Sequence, residues 1–136
     1  MNSKLYFTIT AVVALAYGSV FVLIPAQVMG LYGITGQPDA NLNIQFFGAS
    51  LISLGVISWF GRTFRDWAAM RGVLIGGIAG DTVGLLVTLG GLRHGLLNSL
   101  GWSTAVVYGL LLIGACYCLA TGKRKSERAQ AAHGLT

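Results

Sequence analysis

Four apolar segments, each of about 20 residues, occupy most of the chain. They cover approximately residues 5–24, 42–61, 72–92 and 99–121, and Asp81 is the one formal charge within them. A helix of this length measures about 30 Å, which matches the hydrocarbon core of a bilayer. Charged residues make up only 10% of the chain, against about 25% in soluble domains. The sequence therefore predicts an all-α membrane protein, a four-transmembrane-helix bundle.

The first apolar segment has features of a secretory signal as well as of a transmembrane span. Lys4 precedes it, and Ala14-Leu15-Ala16 resembles a signal-peptidase site. The apolar run continues for eight residues beyond Ala16, so we expect a retained span. Pro25 should end this helix, because proline supplies no backbone donor. The following stretch, AQVMGLYGI, predicts a short interfacial helix.

Basic residues set the predicted orientation of the spans. Eight of the nine lie at the amino end, in a link over Arg62–Arg71, or in the tail, and only Arg93 lies on the other side. Cytoplasmic flanks of membrane spans are enriched in Lys and Arg, so we expect both termini to be cytoplasmic. The predicted organisation is one transmembrane domain over residues 1–122, followed by a basic cytoplasmic tail over residues 123–136.

The third apolar segment carries a glycine at every fourth position, at Gly72, Gly76, Gly80 and Gly84. These positions form one stripe along a helix, and such stripes allow a second helix to approach closely. We therefore predict a helix-packing interface here, in the manner of a glycine zipper. Its partner is either another span of this chain or another chain. The second segment is also rich in small side chains and should pack closely.

Asp81 lies about 100° around the helix from Gly80, on the shoulder of the glycine stripe. Its side chain should point into the bundle or along a seam between helices, where it forms a candidate intramembrane polar or ion site with Thr88. No Lys, Arg or His lies at a similar depth in another span. Because an unpaired charge is costly at this depth, the neutral acid is favoured. Hydroxyl groups in other spans are its candidate hydrogen-bond partners: Tyr17, Ser50, Ser53, Ser58 and Tyr108.

Three roles for Asp81 stay open. It is a hydrogen-bonded group that joins two helices or two copies of the protein, a contact to a polar group in a larger complex, or a working proton or cation site. Intramembrane carboxylates serve in all three ways. The environment of the side chain separates them: a dry helix seam favours the joining role, a cavity favours transport, and a lipid-facing surface favours partner binding.

No pattern typical of catalysis or of metal binding is present. The chain has no nucleophile elbow, no phosphate-cradling loop and no pair of carboxylates placed for acid–base chemistry. His94 and His133 lack ligand spacing, and Cys116 and Cys118 point about 200° apart on a helix. We therefore predict no enzymatic activity, no catalytic residue, no metal and no cofactor. The net charge of +5 belongs to the ends of the spans, so nucleic acid is not an expected partner.

The layout resembles small bacterial four-span proteins in the neighbourhood of the DoxX-like family. The resemblance rests on several short features: Pro25 followed by Gly33, residues 43–48 (NIQFFG) at the start of the second span, and a basic link with Arg62 and Arg65. Those families often carry an arginine where this chain has Gln45. The resemblance implies a multi-pass protein of the bacterial inner membrane that serves as a subunit or partner of a redox system. It implies no residue-level site.

We predict a small integral membrane protein that acts as a non-enzymatic accessory or assembly subunit, with the glycine-striped third helix as its interface. Its expected partners are the lipid bilayer and either other membrane-protein subunits or further copies of itself. Two other functions stay open. One is a small proton- or cation-coupled transporter that uses Asp81, and the other is a DoxX-like membrane redox subunit.

Overall fold

The computed structural model describes the backbone of residues 3–34 and 38–133 and the side chains of residues 3–34 and 40–122. Five helices and no strand occur in these ranges: α1 Ser3–Leu23, α2 Pro25–Leu31, α3 Pro38–Gly61, α4 Trp67–Arg93 and α5 Gly101–His133. Four of them, α1, α3, α4 and α5, contain segments long and apolar enough to cross a membrane. The all-α architecture with four such helices is confirmed, and the orientation of the termini stays a prediction.

Helix α4 begins at Trp67 rather than near Gly72, where the apolar pattern places its start. The carboxylate of Asp66 accepts hydrogen bonds from the backbone N–H groups of Ala68 and Ala69, at 3.2 and 3.0 Å. An aspartate in this position satisfies donors that the first helical turn leaves free. Hydropathy alone assigns these residues to the interfacial link, because Arg71 interrupts the apolar run. Capping therefore sets this boundary.

The other boundaries follow from proline placement and helix propensity. Helix α2, the short helix predicted after the first span, begins with Pro25, at a position where a missing N–H is harmless. Helix α5 continues through the predicted tail to His133, because the Lys, Arg, Glu, Gln and Ala that dominate this stretch favour helix. The tail's side chains and residues 134–136 lie outside the described part of the chain.

The bundle consists of two tightly packed helix pairs, α1 with α3 and α4 with α5. Glycines allow the first pair to approach closely. A Cβ atom on Gly48 would lie 2.8 Å from the carbonyl oxygen of Gly18, and one on Gly55 would lie 2.7 Å from Cγ of Leu15. The small-residue character of the second apolar segment thus has the packing consequence that the sequence predicts.

The two pairs meet loosely. Helix α1 contacts α5 at limited points, α3 contacts α4 at fewer still, and close backbone approach is absent along both diagonals of the described bundle. A cluster of buried side chains joins α1, α4 and α5 at the end where α1 begins: Tyr6, Phe7, Leu74, Ala115 and Cys118. The space between the two helix pairs is therefore closed at this end and is incompletely filled along the rest of the bundle.

The outward faces of the long helices are apolar and exposed. Val83, Leu86 and Val87 on α4 and Leu110 and Ile113 on α5 each leave more than 60% of their surface uncovered. A soluble protein rarely exposes a contiguous apolar surface of this kind. These faces are suited to contact with lipid, and together with the helix lengths they indicate a multi-pass membrane protein.

The α1–α3 contact predicts a selective cost for a single added methyl group. We expect Gly48→Ala to lower the free energy of unfolding by about 1–3 kcal/mol, because its Cβ would overlap the Gly18 backbone. Gly109→Ala is the matched control, since a Cβ on Gly109 meets nothing within 4 Å. Thermal or denaturant unfolding in detergent measures both. Equal stability of the two variants would contradict this packing.

Candidate functional site

A cavity of about 240 Å³ lies between the two helix pairs and is lined by α1, α3, α4 and α5. Its wall on α1 runs from Tyr6 to Phe21, a distance of about 22 Å along a helix axis. Most of the wall is apolar. A cavity that holds benzene measures about 150 Å³, so this one has room for an organic molecule larger than benzene.

Among the described residues, Asp81 contributes the only carboxyl group to this wall. Its residue is only 8% exposed, and the carboxyl makes no hydrogen bond or ion pair within the described part of the chain. The part of the lining that the structure describes includes no Lys, Arg or His. The prediction that Asp81 points into the bundle agrees with this placement. An unpaired carboxylate in such surroundings is costly, so the carboxyl must hold either a proton or a positively charged partner.

Hydroxyl groups from three helices share the cavity with Asp81. The lining includes the following polar side chains besides the carboxyl: Tyr6, Thr10, Tyr17, Ser50, Ser58, Thr104 and Tyr108. Tyr6 and Tyr108 are close enough to Asp81 to interact with it electrostatically. The described lining thus offers the carboxyl hydroxyl dipoles and no compensating charge.

Thr10 is the second buried polar side chain without a regular partner. It is 7% exposed, and its Oγ1 atom, beside the Tyr6 side chain, makes no hydrogen bond of standard geometry in the described structure. Buried hydroxyls are satisfied in most folded proteins. Both Thr10 and Asp81 line the cavity. Oγ1 of Thr10 is itself fully buried beside Tyr6, so the carboxyl of Asp81 is the group whose bonding a molecule or ion in the cavity would complete.

Polar contacts tie the helices together at the α2 end of the cavity. The Tyr32 hydroxyl lies 2.6 Å from Oγ1 of Thr104, and Thr104 belongs to the lining. Asn98 reinforces this link because its Nδ2 donates to the carbonyl of Leu31 at 2.7 Å. The rings of Phe21 and Phe47, with centroids 5.8 Å apart, lie in the wall near the same end. Access from this end is therefore restricted.

The cavity opens to the side, between α3 and α4. Four of its lining residues are exposed, Phe47 and Ser50 on α3 and Gly76 and Gly80 on α4. The lining residues of α1 and α5 are buried or half-buried. Because α3 and α4 barely touch, the gap between them forms the mouth of the cavity. In a bilayer this mouth faces lipid rather than water.

The glycine stripe divides into two parts. A Cβ atom on Gly84 would overlap the ring of Tyr108, so Gly84 allows α5 to pack closely on α4. A Cβ atom on Gly72, Gly76 or Gly80 would meet nothing within 4 Å. Among the described residues, only the Gly84 end of the predicted interface packs against another helix of this chain. A helix that packs against the other three glycines would come from outside the described part of the chain.

The sequence predicts that Asp81 forms a polar site with Thr88 and with hydroxyl groups of other spans. The structure places only some of these residues near one another. Thr88 is buried but does not line the cavity, and its Oγ1 donates to the carbonyl of Gly84 at 2.8 Å. Among the hydroxyls predicted as partners of Asp81, all except Ser53 line the cavity, and none bonds to the carboxyl. Ser50 donates instead to the carbonyl of Phe46 at 3.0 Å.

Of the part of the site that α1 provides, the sequence predicted Tyr17 and missed Tyr6 and Thr10. Tyr6, Thr10 and Tyr17 are spaced by four and seven residues, which places them on one face of a helix. This polar face on an otherwise apolar span is the signal that identifies α1 as the wall opposite Asp81. Sequence alone gives no indication that the mouth lies between α3 and α4.

The chemistry available to this site is the binding of a proton or of a positively charged group. Within the described ranges, no cluster of three His, Cys, Asp or Glu side chains could hold a metal ion. Cys118 is buried in the cluster at the closed end, whereas Cys116 is exposed on the opposite face of α5. Comparisons with protein-family models, with curated proteins and with solved structures find no match to this chain.

The lack of a bonding partner predicts that Asp81 contributes nothing to stability. We expect Asp81→Leu to leave the unfolding temperature unchanged or to raise it, because leucine is favoured over aspartate in a span by about 3 kcal/mol. Thermal unfolding of the purified variant in detergent measures this. A hydrogen bond that joins two helices would be worth about 0.6–2 kcal/mol, so a clear loss of stability would favour the joining role instead.

Proposed function

We propose that the protein is a small multi-pass carrier of the bacterial inner membrane that binds a cation in exchange for a proton at Asp81. The observation that supports this proposal is the lone carboxyl of Asp81, buried without a hydrogen bond in a cavity with no basic lining residue. Among the three roles open to Asp81 by sequence, a cavity favours transport. A carboxyl that joins helices would be bonded to a neighbouring side chain.

Exchange follows from the energetics of charge in an apolar medium. An ionised carboxylate without a partner is strongly disfavoured in the cavity, so the empty carrier holds Asp81 as the neutral acid. A cation that enters stabilises the carboxylate, and the proton leaves. Asp81 carries no net charge with a bound proton, and the carboxylate with a bound monovalent cation is also neutral overall. The two occupancies therefore compete for one group, which couples movement of the cation to movement of a proton.

The direct test of this proposal combines labelling with transport. We expect a hydrophobic carbodiimide, which reacts with protonated carboxyls in apolar surroundings, to label Asp81 in the purified protein. In proteoliposomes that contain a pH-sensitive dye, inward gradients of Na⁺, K⁺ and tetramethylammonium should each be tried. A gradient of a primary alkylammonium ion belongs to the same series. At least one of these cations should drive protons out faster than in protein-free liposomes, and Asp81→Asn should abolish that signal.

Asp66→Asn provides the matched control for this experiment. It makes the same chemical change outside the cavity, at the cap of α4, and asparagine also caps helices well. Its labelling at Asp81 and its proton movement should equal those of the unaltered protein. Proton movement that survives in Asp81→Asn, or that is no faster than in protein-free liposomes with every cation, would contradict the proposal.

A second function is supported by a separate observation, the open side of the glycine stripe. Gly72, Gly76 and Gly80 are exposed, and additional atoms there would meet nothing in this chain. Such a surface is suited to close approach of another transmembrane helix. An accessory or assembly role through α4 is therefore the alternative proposal, with a subunit of another protein or a second copy as the partner.

This alternative predicts a cross-linked species in native membranes. Gly72→Leu should remove most of that species, because the larger side chain holds the partner helix away, while Gly109→Leu on α5 should leave it unchanged. Cross-linking followed by mass spectrometry identifies the partner and the contact. A protein that is monomeric in mild detergent and yields no cross-linked partner in its native membrane would contradict the assembly role.

A further inference from the structure

We propose that the ligand of the Asp81 cavity is a lipid-soluble monoamine, which reaches the carboxyl sideways from the bilayer through the gap between α3 and α4. This inference rests on the proposed function, since it names the ligand class and the access route for the same carboxyl. It is carried by the unbonded carboxyl of Asp81 in the cavity, by the composition and size of the wall, and by the position of the mouth.

The polar groups favour a ligand with one positive charge and several hydrogen-bond donors. Asp81 is the only acid in the lining, and α4 adds no other titratable group to it. The titratable groups that face it are Tyr6 and Tyr17 from α1 and Tyr108 from α5, while α3 contributes serine hydroxyls only. An ammonium group offers three N–H donors. Asp81 can accept from at least one of them, and the tyrosine and serine hydroxyls of the wall are further acceptors.

The rest of the wall fits an apolar and aromatic body. Six aromatic side chains line the cavity, and they can contact both hydrocarbon and a cationic head: Tyr6, Phe7, Tyr17, Phe21, Phe47 and Tyr108. Rings of this kind attract cations through their faces. The volume of about 240 Å³ exceeds that of a benzene-holding cavity by about half. A slender molecule on the order of 10 non-hydrogen atoms matches this space.

The position of the mouth determines the route. Gly76 and Gly80 form its α4 edge, and both are exposed with empty space where a side chain would begin. The tie between Tyr32 and Thr104 restricts the α2 end, and the buried cluster around Phe7 closes the opposite end. A ligand that crosses the gap between α3 and α4 comes from the lipid, so it must be soluble there.

The binding step balances as a proton transfer. An amine is soluble in lipid as its neutral base, which forms when the aqueous ammonium ion gives one proton to water. In the cavity the O–H bond of the Asp81 carboxyl breaks, an N–H bond forms on the amine nitrogen, and an ammonium–carboxylate pair remains. For each ammonium ion taken from water, one proton is therefore released to water. A hydrocarbon of the same shape cannot make this exchange.

The first test measures binding and proton release together. Phenylbutylamine is the probe, and pentylbenzene is its neutral isostere, with a methyl group in place of the ammonium. The purified protein in lipid nanodiscs should bind the amine with release of one proton per site in weakly buffered solution. Asp81→Asn should weaken amine binding by at least about 30-fold, as expected when one partner of a buried charge pair is lost. Binding of pentylbenzene with equal affinity would overturn the proposal.

The second test examines the route. Gly80→Leu adds a side chain at the mouth, where its Cβ atom would meet nothing within 4 Å, and it should slow association of the amine by at least about tenfold, which corresponds to about 1.4 kcal/mol. Gly72→Leu is the matched control, because Gly72 belongs to the same open stripe but does not line the cavity. Equal association rates in the two variants, both shown to retain full helicity, would overturn the sideways route.

The results distinguish failure of this inference from failure of the proposed function. If carbodiimide labels Asp81 and an inorganic cation exchanges for protons while phenylbutylamine does not bind, the carrier proposal stands and the monoamine is excluded. If Asp81 is neither labelled nor required for any cation exchange, both proposals fail. Amine binding that releases no proton would also overturn the inference, because the exchange at the carboxyl would then be absent.

Discussion

The organisation of this protein depends on one constraint, a carboxyl group placed in an apolar interior without a partner from its own chain. Asp81 is buried against the tyrosines of α1 and α5 and bonds to none of them. Water would solvate such a group, and a salt bridge would neutralise it, but the described lining offers no cation. The carboxyl must then carry a proton or a ligand. The proposed functions follow from the need of this carboxyl for a proton or a ligand.

The space around Asp81 exists because the four long helices pack as two pairs rather than as one uniform bundle. Gly18 and Gly48 bring the backbones of α1 and α3 together, and Gly84 admits the ring of Tyr108 between α4 and α5. Close packing within each pair leaves the pairs joined mainly by the buried cluster at one end. The remaining interior forms the cavity, and the weak contact between α3 and α4 leaves it open toward lipid. Glycines in both helix pairs therefore determine where the cavity forms.

Sequence predicts the parts of this fold that depend on hydropathy and on local chemistry. The four spans, the short helix after Pro25 and the inward direction of Asp81 follow from runs of apolar residues, from proline and from helical periodicity. The packing partners do not follow, because a glycine stripe indicates that a helix can be approached closely but not by which neighbour. Gly72, Gly76 and Gly80 thus remain open, while Gly18 and Gly48, which form no stripe, bring the backbones of two helices into close contact. The cavity combines residues of four helices, and Thr88 is excluded from it only by tertiary arrangement.

Infrared difference spectroscopy on the carboxyl of Asp81 tests the central claim most directly. The spectrum of the unliganded protein in lipid, minus that of Asp81→Asn, isolates the carbonyl stretch of this one group. A protonated acid without a hydrogen bond should give a band at the high-frequency end of the carboxylic-acid range, and a bound cation should replace it with carboxylate bands. A carboxylate signal in the absence of any ligand, or a band of a strongly hydrogen-bonded acid that no cation changes, would contradict the account.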